Sequence, residues 1–154
     1  MDSMLVRLFK HLEWADRALL ASFEQAGEPP PEALKLLAHL LAAEHIWLAR
    51  LQAEGPPAHP VWPALTFPEC RALADRNRQG FRALLGSLEA DRLDAPVAYR
   101  DSKGNPFSTP LSDLLLHVAL HGAHHRGQIA TLLRAAGLQP ASTDYVLFAR
   151  NRQL

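Results

Sequence analysis

The chain has 154 residues, the size of one domain with one substantial core. Its 16 Lys and Arg balance 16 Asp and Glu, which argues against a general nucleic-acid binder, a class that carries a basic excess. A single cysteine, Cys70, excludes an internal disulfide framework and a cysteine-rich zinc site. The apolar runs are too short for a membrane span, and Asp2, Arg7, Lys10 and Glu13 interrupt any signal-peptide core, so a cytoplasmic protein is expected.

Leucine (28) and alanine (25) far outnumber valine (5) and isoleucine (2), which favours helices over strands. The 12 prolines cluster and leave Pro-free stretches at 1–28, 32–55, 69–95 and 111–139, with a tail at 141–154. Four segments of about 25 residues, each ~37 Å long as a helix, outline an all-α, up-down four-helix bundle with a short C-terminal helix, as one domain over 1–154. The linker GPPAHPVWPAL at 55–65 is too Pro-rich for regular structure, and Trp62 is expected to pack across the bundle surface. Thr66 with Glu69 reads as a capping box opening the third helix, and Cys70 in its first turn is read as structural. Tyr99 and Phe107 flank Lys103-Gly104-Asn105, which predicts a small hairpin between the third and fourth helices. Thr109 and Pro110 read as N-cap and first residue of the fourth helix, and Gly137 with Pro140 closes it.

The fourth helix carries His117, His121, His124 and His125 within nine residues. On a helical wheel with His121 at zero, His125 and His117 lie about 40° to either side, near Leu114 and Leu132, while His124 falls about 60° away. Three inward imidazoles need more partners than a leucine-rich core supplies, and a metal ion satisfies them together. Residues four apart on a helix can share one ion. HExxH protease chemistry is not indicated, because Gly122 stands where the glutamate would. The second helix offers His39 or His45 as a further ligand. Periodicity leans to His45, whereas Ala42 and Ala43 leave room beside His39, so the wheel does not decide.

Four segments, in order along nearly the whole chain, resemble the DinB/YfiT-like family. HVALHGAHHRGQIATLLRAAG is close to its H-x-x-x-H-x-x-x-H-R-G-Q signature, and LLAHLLAAEHIWLARL is similar to its second-helix motif, a histidine eight residues before Trp-Leu. HLEWADRALL resembles its W-A-N motif with Asp16 in place of Asn, and STDYVLFAR resembles its C-terminal segment. The resemblance implies a four-helix bundle with a three-histidine metal site made of His39, His121 and His125, leaving His45 as the alternative ligand. It makes His117 a neighbour of the ligands or a pocket wall, and Gln128 is read in the same way. The implied cofactor is a divalent ion, with zinc or nickel ahead of iron or copper.

The remaining polar and aromatic residues have plainer readings. Arg126 is expected to form a structural ion pair or helix contact, with Asp144 as the candidate partner, Trp14 and Trp47 to be core, His11 and His59 to be solvated, and Glu13 and Glu44 to lie on the surface. The functional reading is a metal-dependent enzyme, and the family resemblance implies a low-molecular-weight-thiol-dependent S-transferase, or else a hydrolase, with a small thiol co-substrate and an electrophile as partners. The alternative is a non-catalytic stress-response protein that binds a metal or small ligand. Neither nucleic acid nor membrane is an expected partner. The many leucines around the second helix suggest a homodimer through outer helix faces. Neutral imidazoles must bind the ion, so affinity is expected to fall below about pH 6.

Overall fold

The computed structural model describes residues 4–151. Helix α1 spans Met4–Ala26, α2 Pro31–Leu51, α3 Phe67–Gly86, α4 Leu111–Ala135 and α5 Tyr145–Asn151. A single 3-10 turn, Ala90–Arg92, leads to strands β1 (Pro96–Arg100) and β2 (Pro106–Pro110). The predicted ends at 1–3 and 152–154 lie outside the described residues. The bundle therefore has its four long helices, the short fifth and the hairpin, as the proline pattern indicates. The third helix is shorter than its Pro-free stretch, because Ser87 already caps it.

Local chemistry sets these boundaries. The Thr66 side chain accepts from Glu69 N, and the Glu69 carboxylate accepts from Thr66 N at 2.7 Å, so the capping box is complete. Gly137, with φ 79°, ends α4 in the left-handed region that a glycine adopts without strain. At the start of α4 the expected cap is displaced by one residue. Thr109 belongs to β2, where it faces Val97, and Pro110 occupies the cap position. The hairpin pairs Tyr99 with Phe107, and its turn is organised by Asp101, which accepts hydrogen bonds from Lys103 N and from Asn105.

Around the bundle, α1 packs on α3 and α4, and α2 packs on the same two helices. Sequence neighbours α1 and α2 thus face each other diagonally across the core. Two apolar clusters fill it. One gathers Leu19, Phe23, Leu37, Leu41, Leu73, Ile129 and Leu133; the other gathers Phe9, Leu12, Leu48, Phe81, Leu115 and Val118. Between them lies a buried polar layer with one residue from each long helix: Asp16, Glu44, Asn77 and Arg126.

That layer corrects two expectations. Arg126 pairs with Asp16 at 2.9 Å rather than with Asp144, and it is 2% exposed. Glu44, expected on the surface, is also 2% exposed; its Oε2 accepts from Asn77, whose amide also donates to Leu41 O at 2.8 Å. Burial raises the pKa of Glu44 well above its ordinary value, and the nearby Asp16 charge pushes it further. Gly122 makes room for the layer, since a Cβ there would stand 2.9 Å from Arg126 Nη1. His11 is buried as well, donating from Nε2 to Thr143 O at 2.7 Å among the rings of Trp14, Tyr145 and Phe148. It ties α1 to the segment before α5. Glu13 remains near the surface in a two-pronged pair with Arg82.

Candidate metal centre

The histidines are positioned by α2, α4 and the 52–66 linker. The inward face of α4 is centred on Leu115, Val118, Gly122, Ile129 and Leu133. His125 lies at the edge of that face with 9% exposure, His121 lies further round and is half-buried, and His117 is exposed. The wheel above is thus rotated from the real core face by roughly a quarter-turn, about 90°. That wheel is centred on the histidines, with Leu114 and Leu132 beside them, whereas the deeply buried apolar residues Leu115, Ile129 and Leu133 lie further round. His124 faces solvent.

His39 closes the group from α2. It is 5% exposed, and Trp62 stacks on its ring with centroids 3.7 Å apart and planes 9° from parallel. The proline-rich linker is therefore one wall of the site. Its Val61 carbonyl takes a 2.7 Å hydrogen bond from His39 Nδ1. A carbonyl only accepts, so Nδ1 carries the proton and Nε2 presents a lone pair. His125 Nδ1 is paired with Gln128 Oε1 at 2.7 Å in the same way. Gln128 thus orients a candidate ligand and fixes its tautomer.

With both Nδ1 positions committed, the Nε2 atoms converge. His125 Nε2 stands 3.2 Å from His39 Nε2 and 3.1 Å from His121 Nε2, and the ligand atoms of all three lie within 4.8 Å of one another. Lone pairs so aimed repel unless a cation lies between them. Two nitrogens each about 2.0–2.1 Å from a tetrahedral ion would stand roughly 3.3–3.4 Å apart, close to the separations here. The donor set therefore fits a divalent ion. Burial and the surrounding imidazoles push His121 down to about 4, and burial lowers His125, so these two are neutral and ligand-ready at pH 7.

The other candidates fall elsewhere. His45 Nδ1 is 3.1 Å from Asn77 Oδ1, and its ring is near His59 rather than the three-histidine group. His117 is not in that group; its ring lies 5.5 Å from His121 and 5.2 Å from Trp47. Cys70 is buried and its thiol is pushed up to about 11, consistent with a structural role. Trp47 is only partly buried and lines a cavity of about 310 Å3 together with His39, His121, Arg50, Tyr99 and Phe107. A separate cavity of about 410 Å3 between α1 and α3 does not touch the histidines.

Residue reading from sequence misses Val61, Trp62, Arg50 and the polar layer. Glu44 carries a usable signal: it is the one charged side chain between Lys35 and Arg50 in an otherwise Leu- and Ala-rich helix. Val61 leaves none, because it acts through its backbone.

The profile of the DinB family matches residues 3–153. This chain belongs to the DinB family. It is also similar to a protein of Bacillus subtilis strain 168 named Protein DinB, with 37% identity over 67 residues. That match covers 44% of this chain and 39% of the relative, well under half of either protein. In this DinB-family chain the signature run on α4 supplies two of the three converging imidazoles, Gln128, which aligns one of them, and Arg126, which anchors the polar layer beneath them.

Proposed function

We propose that this DinB-family protein is a metal-dependent enzyme whose divalent ion is held by His39, His121 and His125, with zinc or nickel the best-suited metals. The observation that carries this reading is the meeting of three Nε2 atoms whose partner nitrogens are, for His39 and His125, already taken by Val61 and Gln128. When bound, such an ion supplies Lewis acidity and keeps a coordinated thiol deprotonated at neutral pH. The chain's own residues then hold the imidazoles in one tautomer. Trp62 shields one face of His39, and the adjoining cavity offers aromatic walls for a substrate. Thiol S-transfer is the preferred chemistry, with a small thiol co-substrate and an electrophile; hydrolysis is the next.

The non-catalytic reading is favoured by one observation: the three-histidine group includes no carboxylate that could act as a base. Thiol transfer needs none, since the metal itself lowers the thiol pKa. The deciding experiment pairs elemental analysis of tag-free protein with a thiol-consumption assay over a panel of electrophiles. Metal at one equivalent with turnover of at least one electrophile supports the enzyme. Metal without turnover of any electrophile, and without hydrolysis of ester or amide probes, supports the binder, and no metal overturns both.

We propose a homodimer in the cytoplasm as the working form. Among the described residues no helix is long and apolar enough to cross a membrane.

A further inference from the structure

The cavity beside the histidines contains a cation that the metal centre does not use. Arg50, in the last turn of α2, holds its guanidinium 4.6 Å from the Trp47 ring centre and 5.5 Å from that of Tyr99. Among the described residues its guanidinium has neither a hydrogen bond nor an ion pair. Asp101, which also lines the cavity, attracts it without a hydrogen bond or ion pair, its oxygens accepting from Lys103 N and Asn105 in the hairpin turn. Two aromatic faces therefore immobilise a side chain that is normally flexible, while leaving its planar fork without an acceptor.

A partly buried guanidinium without an anion is costly, and its fork matches a carboxylate with two parallel hydrogen bonds. His39 and His121 line the same cavity as Arg50, so one ligand can reach both. At about 310 Å3 the cavity admits a small molecule, not a peptide or a nucleic acid. Its apolar walls, Ile46, Trp47, Tyr99 and Phe107, suit an apolar stem between two polar ends, and Asp101 and Ser102 line the rest of it.

We propose that Arg50 is the specificity-determining cation of this site: the pocket selects a small organic anion whose carboxylate pairs with Arg50 while a second donor atom, such as a thiol, faces His39 and His121. The proposal rests on the metal-centre reading above and names the substrate class of that same site.

The test is calorimetric titration of zinc-loaded wild-type, Arg50→Met and Arg50→Lys protein with 3-mercaptopropionate and with its uncharged amide, zinc content being read in parallel by mass spectrometry. The wild type is expected to bind the carboxylate at least tenfold more tightly than the amide. Arg50→Met should bind both alike with unchanged zinc, and Arg50→Lys should keep part of the preference, having the charge without the fork. Equal affinities in the wild type, or a preference that survives in Arg50→Met, would overturn the proposal. If the wild type holds no zinc, the metal reading fails separately. Benzoate against benzamide on metal-free protein then tests Arg50 alone, and the same tenfold preference and its loss in Arg50→Met decide it.

Discussion

At the scale of single residues, the candidate centre depends on which nitrogen each imidazole presents. Replacing His39, His121 or His125 by Ala removes a converging Nε2, and elemental analysis should show the metal lost from each variant. His45→Ala should keep it, since His45 is engaged with Asn77. Gln128→Ala leaves all three ligands in place but frees the His125 ring, so metal affinity should weaken by about 10–100-fold. The pH dependence also belongs here. His121 sits at about 4 in the folded protein, against 6.5 ordinarily. Between those values the unfolded chain binds the extra proton and the folded chain does not, so stability of the metal-free protein rises with pH across that window. Denaturant melts from pH 4 to 7 should show this slope, and His121→Gln should flatten it. The same shift moves proton competition at His121 toward pH 4, below the pH 6 expected of unperturbed imidazoles, so metal retention at pH 5 should exceed that expectation.

At the scale of elements, two crossings carry sharp tests. Gly80 of α3 lies against α2, and a Cβ there would run into Leu48 Cδ2. Gly80→Ala gains helix propensity but overpacks this contact, and chemical denaturation should show a loss of about 1–3 kcal/mol. The polar layer gives the second. Arg126→Met strips the buried Asp16 carboxylate of its partner, which should cost about 3–5 kcal/mol. Glu44 behaves oppositely to a surface acid. Its folded pKa is raised by burial and by Asp16, so its contribution is present below the ordinary carboxylate value and is lost as pH rises through the folded one. Glu44→Gln should remove that decline in stability toward higher pH while leaving the bond to Asn77 available.

At the scale of the molecule, the three imidazoles join the middle of α2 to the middle of α4. A ligand bound only by the folded chain at a hundredfold excess over its Kd adds about 2.7 kcal/mol. For a chain of this size that is about 5–11 °C in Tm, and calorimetry with and without chelator at pH 7.5 should reveal it. The bundle itself should stay folded without metal, because two apolar clusters close it on either side of the polar layer. The proposed dimer calls for a different surface from the one the sequence suggests. The leucines of α2 that hint at a second interface are taken up inside the bundle, where α2 packs on α3 and α4. Outward apolar side chains are found instead on α4, at Leu116 and Leu120. Light scattering should return twice 17.0 kDa, and Leu116→Lys with Leu120→Lys should return the monomer.

Proline positions alone were enough to divide the chain into its four long helices, because a ring that fixes φ and lacks an N–H is incompatible with a helix interior whatever surrounds it. The capping box and the hairpin turn were legible for the same reason: their hydrogen bonds lie within a few residues. The pairing of His121 with His125 was legible because it follows from helical pitch. Burial was not. A wheel centred on the histidines placed the inner face of α4 away from the true one, and α2, covered on several sides, has no single stripe to read, so His39 and His45 could be separated only by motif. Glu44 looked like a surface charge, and Arg126 had only Asp144 as a candidate partner, until helices distant in sequence brought Asn77 and Asp16 to them. Which face of a helix is inside, and which charge has a partner, depends on the other helices, and only the packed bundle supplies that.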